Sequence, residues 1–247
     1  FLNDKRVIDI PWLLRKILVN LLIVPFRARK SAKIYKDLWT EKGSPIIYHT
    51  HDLCEKLKNI LGNNYHVEYA MRYKNPSLKK ILNSWEGKNF KQIIILPLFP
   101  HYASATNGSV IEEAMDVIKK WWVIPELSFV SQFYNEEFYL KGFEEKGKVH
   151  DFKKYDHILF SFHGLPERHV DKVYKDGLCK DNNCEHGIND ENVFCYKATC
   201  YETAIQLAKR LKLKEDDYSV GFQSRLGKGW VEPFSDEIII DLAKNGV

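Results

Sequence analysis

The sequence predicts an α/β protein in which parallel sheets are flanked by helices, and three observations carry that prediction. Short runs rich in Ile, Val and Phe alternate with helix-like segments of about 10 to 15 residues, the pattern of strands buried on both faces. The alternation occurs twice, over residues 1–134 and 156–247, with a connector of mixed charged and aromatic residues at 135–155. A chain of 247 residues with 45% hydrophobic and 28% charged residues has the length and composition of a globular protein of one large or two ordinary domains.

The elements follow in order. DIPWLLRKILVNLLIVPFR has Asp9 as a cap and Pro11 in the first turn, with Leu14, Ile17, Leu18 and Leu21 at helical spacing. Trp12, Leu13, Leu22 and Ile23 widen this apolar surface, so protein, substrate or lipid must cover it. PIIYH (45–49) reads as a strand before a helix marked by Leu53, Leu57 and Ile60, and VEYAMRY (67–73) as a strand before the helix PSLKKILNSW. QIIILPLFP (92–100) then precedes the helix GSVIEEAMDVIKKWW, and LSFVSQF (127–133) closes the first half. In the second half, the strand DHILFSF (156–162) leads into a cysteine-bearing loop and a helix marked by Ala204, Leu207 and Leu211. The strand YSVGF (218–222) and the helix DEIIIDLAKNGV (236–247) follow.

Composition removes several function classes. Net charge is only +4, which argues against a general polyanion binder, although residues 1–50 hold ten Lys or Arg against four Asp or Glu. That excess suits a membrane surface or an acidic substrate, or is a solvated basic face. No apolar run approaches the roughly 20 residues needed to span a bilayer. The first residues lack the layout of a secretion signal and an initiating Met, so the chain is expected to start inside a longer protein. The loop at 100–109 lacks the pattern of a nucleotide triphosphate loop, and no Gly-x-Gly-x-x-Gly is present.

In open parallel sheets, chemistry collects beyond the carboxyl ends of the strands. His163 leaves the run Ile-Leu-Phe-Ser-Phe and is followed by Gly164 and Pro166, which can hold its backbone in a sharp turn. Such an imidazole can accept protons from a ring nitrogen or meet a metal ion, or it can be a structural histidine bonded to a neighbouring loop. His169 is a surface or supporting residue. Arg72 and Tyr73 offer a two-pronged grip on a carboxylate and a ring to lie against a flat ligand, or alternatively a salt bridge and a packed ring. PHYASATNGS, with Ser104 and Thr106, is a small-residue loop that can approach a ligand closely.

Cys179-x4-Cys184-x10-Cys195-x4-Cys200 is the densest local constellation. Four thiolates in one loop can hold zinc or a two-iron cluster, while buried thiols or two disulfides remain the plainer readings. Clustered cysteines argue for a metal site in a reducing compartment more than for a secreted scaffold. His186 is a substitute ligand to consider, and Cys54 a buried thiol.

Taken together, these segments resemble the ferrochelatases, which insert ferrous iron into a porphyrin. The resemblance rests on FLNDKRVIDIPWLLR, GSP at 43–45, MRYKNPS at 71–77, PLFPHYASATNGS at 97–109, FSFHGLPERH at 160–169, CYKATC at 195–200 and FQSRLGKGWVEPFSDE at 222–237, in family order along nearly the whole chain. It implies two doubly wound, Rossmann-like domains of the chelatase type, with the porphyrin between them. It places His163 at the macrocycle as a base for the pyrrole protons or a carrier of iron, and puts Arg72, Tyr73, Ser104 and Thr106 on the ring-binding side. Fe2+ is then substrate rather than cofactor. Cys179, Cys184, Cys195 and Cys200 resemble the internal [2Fe-2S] cluster of a bacterial subset, with zinc the alternative. Residues 12–24 match the apolar lip that faces the bilayer in membrane-associated members, implying a cytoplasmic protein peripheral to the inner membrane, with no nucleic-acid partner.

The family pattern also includes a first strand with a Gly-Thr-Pro loop and, beyond residue 247, strands and a helix bearing a carboxylate opposite the histidine. A chain truncated at both ends is therefore expected, its missing strands lost or supplied by another polypeptide. Within this reading the alternatives are coproporphyrin as the ring, another tetrapyrrole chelatase, or a non-catalytic haem or iron-sulfur binder.

Overall fold

The computed structural model describes the backbone of residues 1–247 and every side chain except that of Asp181. The chain divides into two compact units, Phe1–Ile95 with Ser104–Phe129, and Leu96–Ala103 with Val130–Val247.

In the first unit, α1 (Trp12–Ile17) runs through a π-helical stretch, Leu18–Ile23, into α2 (Val24–Leu38). Helix α3 is Pro45–Leu61 and α4 is Leu78–Trp85. Strand β1 (Gln92–Ile95) is joined through α5 (Ser109–Ile118) to β2 (Glu126–Phe129), and the two strands pair in parallel with Ile93 opposite Leu127. A parallel pair needs such a crossover, because a tight hairpin would return the chain in the opposite direction. The core collects Leu78 and Leu82 of α4, Ile93 and Ile95 of β1, Ala114, Val117 and Ile118 of α5, and Trp121. These positions repeat at three to four residues along the helices and at two along the strand.

In the second unit, α6 (Glu137–Gly147) precedes β3 (Ile158–His163), α7 (Glu167–Asp171), α8 (Tyr196–Leu211), β4 (Tyr218–Gln223) and α9 (Ser235–Lys244). Strands β3 and β4 are parallel and in register from Ile158 opposite Tyr218 to His163 opposite Gln223. Ala198, Ala204, Val220 and Phe222 share one apolar core. Gly221 is required by close packing: a Cβ there would lie 2.9 Å from Ser235 Oγ and 3.1 Å from Ser235 Cα. The mixed α/β architecture with short parallel sheets and flanking helices agrees with the fold class read from the sequence.

Several local expectations are corrected. Residues 45–49 are the first turns of α3, because Ser44 and Pro45 occupy its cap and first helical position, the setting that proline favours. The inward side of α3 carries Cys54 and Leu57, whereas Leu53 and Ile60 are exposed. Residues 67–73 form no strand among the described residues; a single bridge joins Met71 to Ser77, closing a tight loop. Strand β1 stops before Pro97, which has no N–H to give to a ladder. Helix α1 starts after Pro11 rather than at Asp9, and from Trp12 to Leu38 only Arg15 and Val19 are buried. The expected apolar face is therefore turned outward: Trp12, Leu21 and Phe26 are 65%, 65% and 80% exposed, and Leu14 and Ile17 are exposed with them. No helix of the described residues is long and apolar enough to cross a membrane.

Candidate active site and cysteine cluster

The end of β3 is built to present a side chain on a fixed backbone. His163 is the last residue of the strand, and the next residue donates its N–H to Gln223 O at 2.7 Å. The chains are so close there that a Cβ on Gly164 would stand 2.8 Å from the Gln223 carbonyl oxygen. Val231 N–H to Leu165 O, at 2.9 Å, and Glu167 N–H to Gly229 O, at 3.0 Å, tie the rest of the loop to the segment after β4. Pro166 then caps α7. The His163 ring itself is exposed and has no hydrogen-bond partner among the described residues, so both ring nitrogens remain available for proton or metal chemistry. His169 lies half-buried on α7.

Arg72 and Tyr73 sit in the first unit, on the tight loop closed by Met71 N–H to Pro76 O at 2.7 Å. Both lead to a residue that the sequence reading missed, Asp4. Asp4 Oδ2 accepts from Arg72 Nη2 at 2.7 Å, from the Tyr73 hydroxyl at 2.9 Å and from Ser109 Oγ at 3.0 Å, while Oδ1 accepts from Arg6 N–H at 2.8 Å. Burial pushes the Asp4 carboxyl up, but those donors and the Arg72 charge outweigh it and hold the group below its usual range. The other edge of Arg72 meets Glu113, with Nη1 2.6 Å from Oε2. That contact lies off the N–H direction, leaving Glu113 Oε2 buried without a directed hydrogen bond. Burial, only partly offset by Arg72, raises the Glu113 carboxyl pKa. The guanidinium also lies 4.5 Å from the Tyr73 ring centre.

Ser104 and Thr106 lie in the turn leading into α5. Ser104 Oγ accepts from Arg6 Nη1 at 2.8 Å, and Thr106 Oγ1 donates to Asn107 Oδ1 at 2.9 Å. A cavity of about 250 Å³ beside Arg72 is lined by Lys79, Glu112, Glu113, Asp116 and Lys120, a charged surface unsuited to a flat apolar macrocycle. The structure thus joins Arg72 and Tyr73 in one network, links Ser104 to Arg6, and directs part of Arg72 towards acidic groups.

His101, also missed from sequence, is buried at 8% exposure in the second unit. Its Nε2 is 2.9 Å from Thr203 Oγ1, and Tyr134, Tyr139, Phe162 and Tyr196 surround the ring. Burial pushes its pKa down to about 4, so it is neutral at neutral pH.

Three of the four loop cysteines converge. The sulfurs of Cys179 and Cys184, Cys179 and Cys195, and Cys184 and Cys195 are 3.6, 3.6 and 3.7 Å apart, and all three residues are buried. Hydrogen bonding with Cys179 and Cys184 lowers the Cys195 thiol, while bonding with Cys184 and Cys195 pushes Cys179 up. Asn192, buried in the loop, donates to Gly187 O at 2.9 Å and accepts from Asn189 N–H at 2.8 Å. This trio can hold a metal ion. Cys200 is outside it, fully buried on α8 with its thiol pushed up by burial, and His186 is exposed and also outside. Cys54 is a buried thiol, as expected.

The ferrochelatase family profile matches residues 1–247. A ferrochelatase of Legionella pneumophila (strain Corby) is 44% identical over 248 residues, covering 100% of this chain and 73% of that protein. One of Coxiella burnetii (strain RSA 493 / Nine Mile phase I) is 38% identical over 252 residues, covering 100% of this chain and 70% of that protein. With its α/β fold, its parallel strands and its full-length match, the chain belongs to the ferrochelatase family.

Proposed function

We propose that this protein inserts Fe2+ into protoporphyrin IX, giving protohaem and two released protons, with His163 as the group that accepts pyrrole protons. The observation that carries this reading is the exposed His163 ring at the end of β3, on a backbone held by Gly164 and the segment after β4, in a chain that matches the family from end to end. Metallation requires two ring nitrogens to lose protons while a hydrated ion sheds water. A positioned base contributes by accepting the proton as it leaves in the transition state.

Arg72, Tyr73, Ser104 and Thr106 are assigned to ring binding. A propionate reaching Arg72 must exchange with a carboxylate already there. Glu113 is the easier one to displace, since its contact is poorly directed and burial already disfavours its charge, whereas Asp4 is held by four donors. We assign the outward apolar residues of 12–24 to peripheral contact with a membrane surface, in line with the basic residues Arg27, Arg29, Lys30 and Lys33 that follow on α2. The setting is then cytoplasmic, beside the inner membrane.

The [2Fe-2S] cluster implied by the resemblance asks for two pairs of sulfurs. The chain supplies a compact trio with Cys200 apart, so its donors fit that cluster only in part. Iron insertion measured with protoporphyrin and coproporphyrin tests the main reading. Turnover of protoporphyrin that is lost in His163→Ala supports it, and preference for coproporphyrin would replace the ring assignment.

A further inference from the structure

The three sulfurs of Cys179, Cys184 and Cys195 form a nearly equilateral triangle with edges of 3.6, 3.6 and 3.7 Å. Thiolates at the corners of a tetrahedron around Zn2+, each about 2.3 Å from the ion, stand about 3.8 Å from one another. One ion can therefore meet all three with little movement. A two-iron cluster imposes a different pattern, two sulfurs on each iron with bridging sulfides holding the pairs apart. Three mutually adjacent sulfurs cannot be divided in that way without opening the triangle, and Cys200, the required fourth, is not part of the mutually adjacent set. It lies inside α8, fully buried, in the same apolar core that holds the other three cysteines.

We infer that Cys179, Cys184 and Cys195 form a single-ion site for a thiophilic divalent cation such as Zn2+, and that Cys200 is a core residue rather than a ligand. Three thiolates around a dication leave one net negative charge. Two features of the structure offset it. The Tyr174 hydroxyl lies 3.1 Å from Cys184 Sγ, placed to donate to it. Cys195 is the N-cap of α8, where unpaired backbone N–H groups favour negative charge. Soft and borderline ions select such sulfur sets over hard ones. The ion would tie the loop at Cys179 and Cys184 to the start of α8. The inference is independent of the chemistry at His163.

The test is an anaerobic Co2+ titration of the reduced full chain carrying His163→Ala, which removes an exposed imidazole able to bind Co2+ elsewhere on the chain. The expected result is a sulfur-to-cobalt charge-transfer band that saturates at one equivalent, is unchanged by Cys200→Ser, and requires at least about tenfold more Co2+ with Cys184→Ser, the loss typical of an impaired metal site. Protein purified anaerobically from cells is expected to carry one zinc and no acid-labile sulfide. Two irons and two sulfides per chain would overturn the inference, as would equal loss of the band in Cys200→Ser, or no band at millimolar Co2+. X-ray absorption on the unmodified zinc-loaded chain decides the matter should the variants fail to fold. Three sulfur neighbours and no second metal are expected, and a neighbouring metal shell would refute the single-ion site.

Discussion

Acidification should weaken the fold through His101, and the size of the effect follows from its surroundings. The unfolded residue takes a proton at about pH 6.5, whereas burial among aromatic rings lowers the folded value to about 4. Between those two values the unfolded chain binds a proton that the folded chain refuses, so stability rises with pH there. The contribution is present in full above pH 6.5 and is lost as pH falls towards 4. Moving from pH 7 to pH 5 should cost about 2 kcal/mol from this residue alone, taking about 1.4 kcal/mol per unit of pKa difference that is titrated. The assay is urea unfolding at pH 7, 6 and 5 for the wild type and for His101→Gln, which keeps a polar partner for Thr203 but does not titrate. The variant starts less stable, and its loss between pH 7 and 5 should be smaller by about 2 kcal/mol. Equal losses in both proteins would show that His101 is not held neutral by burial, whatever the variant's absolute stability.

Other expectations follow from contacts at both regions. Gly164→Ala places a methyl 2.8 Å from the Gln223 carbonyl oxygen and should lower stability by about 1–3 kcal/mol, as overpacking does, with a fall in kcat from displacement of His163; unchanged kcat would show that this backbone contact does not position the ring. Asp4→Asn leaves Arg72 without its directed carboxylate and should destabilise the first unit by about 2 kcal/mol in chemical unfolding, an effect that shrinks at low pH because the Asp4 carboxyl is held below its usual range. Its charge-linked contribution is present above the unfolded carboxylate pKa and disappears as pH falls through the lower folded value. Glu113→Gln removes the competing charge beside Arg72 and should lower KM for the porphyrin without a matching loss in kcat; a raised KM would argue against propionate exchange at Arg72.

Much of the architecture was readable because it rests on local periodicity. Strands β1, β3 and β4 are compact β-branched or aromatic runs, and α4, α5 and α8 keep buried residues three to four apart. Errors arose where a local pattern had two solutions. Ile46 and Ile47 looked like strand residues, yet the Ser44-Pro45 start decided for helix. Residues 67–73 have strand-like composition but no described neighbour to form a ladder, and β propensity depends on such a neighbour. For the stretch from Trp12 to Leu38, apolar spacing identified a helix but not the side that is buried, which follows Arg15 and Val19.

The candidate site was legible only where local pattern marks it: His163 stands out because a strand ends there before Gly and Pro. Asp4 and His101 were not, since their partners lie 68 or more positions away, at Arg72, Tyr73, Ser109 and Thr203. Cysteine spacing located the cluster but could not separate Cys200 from the other three. That distinction depends on the direction in which α8 turns its side chains, with Cys195 at the cap and Cys200 one and a half turns further into the helix.

The most direct measurement is anaerobic iron insertion into protoporphyrin IX by the wild type and His163→Ala, run beside porphyrin binding by fluorescence quenching. The variant is expected to lose at least about a hundredfold in turnover, the usual scale for a positioned acid-base group, while its ring affinity stays within about threefold of the wild type. A variant that binds the ring equally well and still inserts iron at the wild-type rate would contradict the role given to His163.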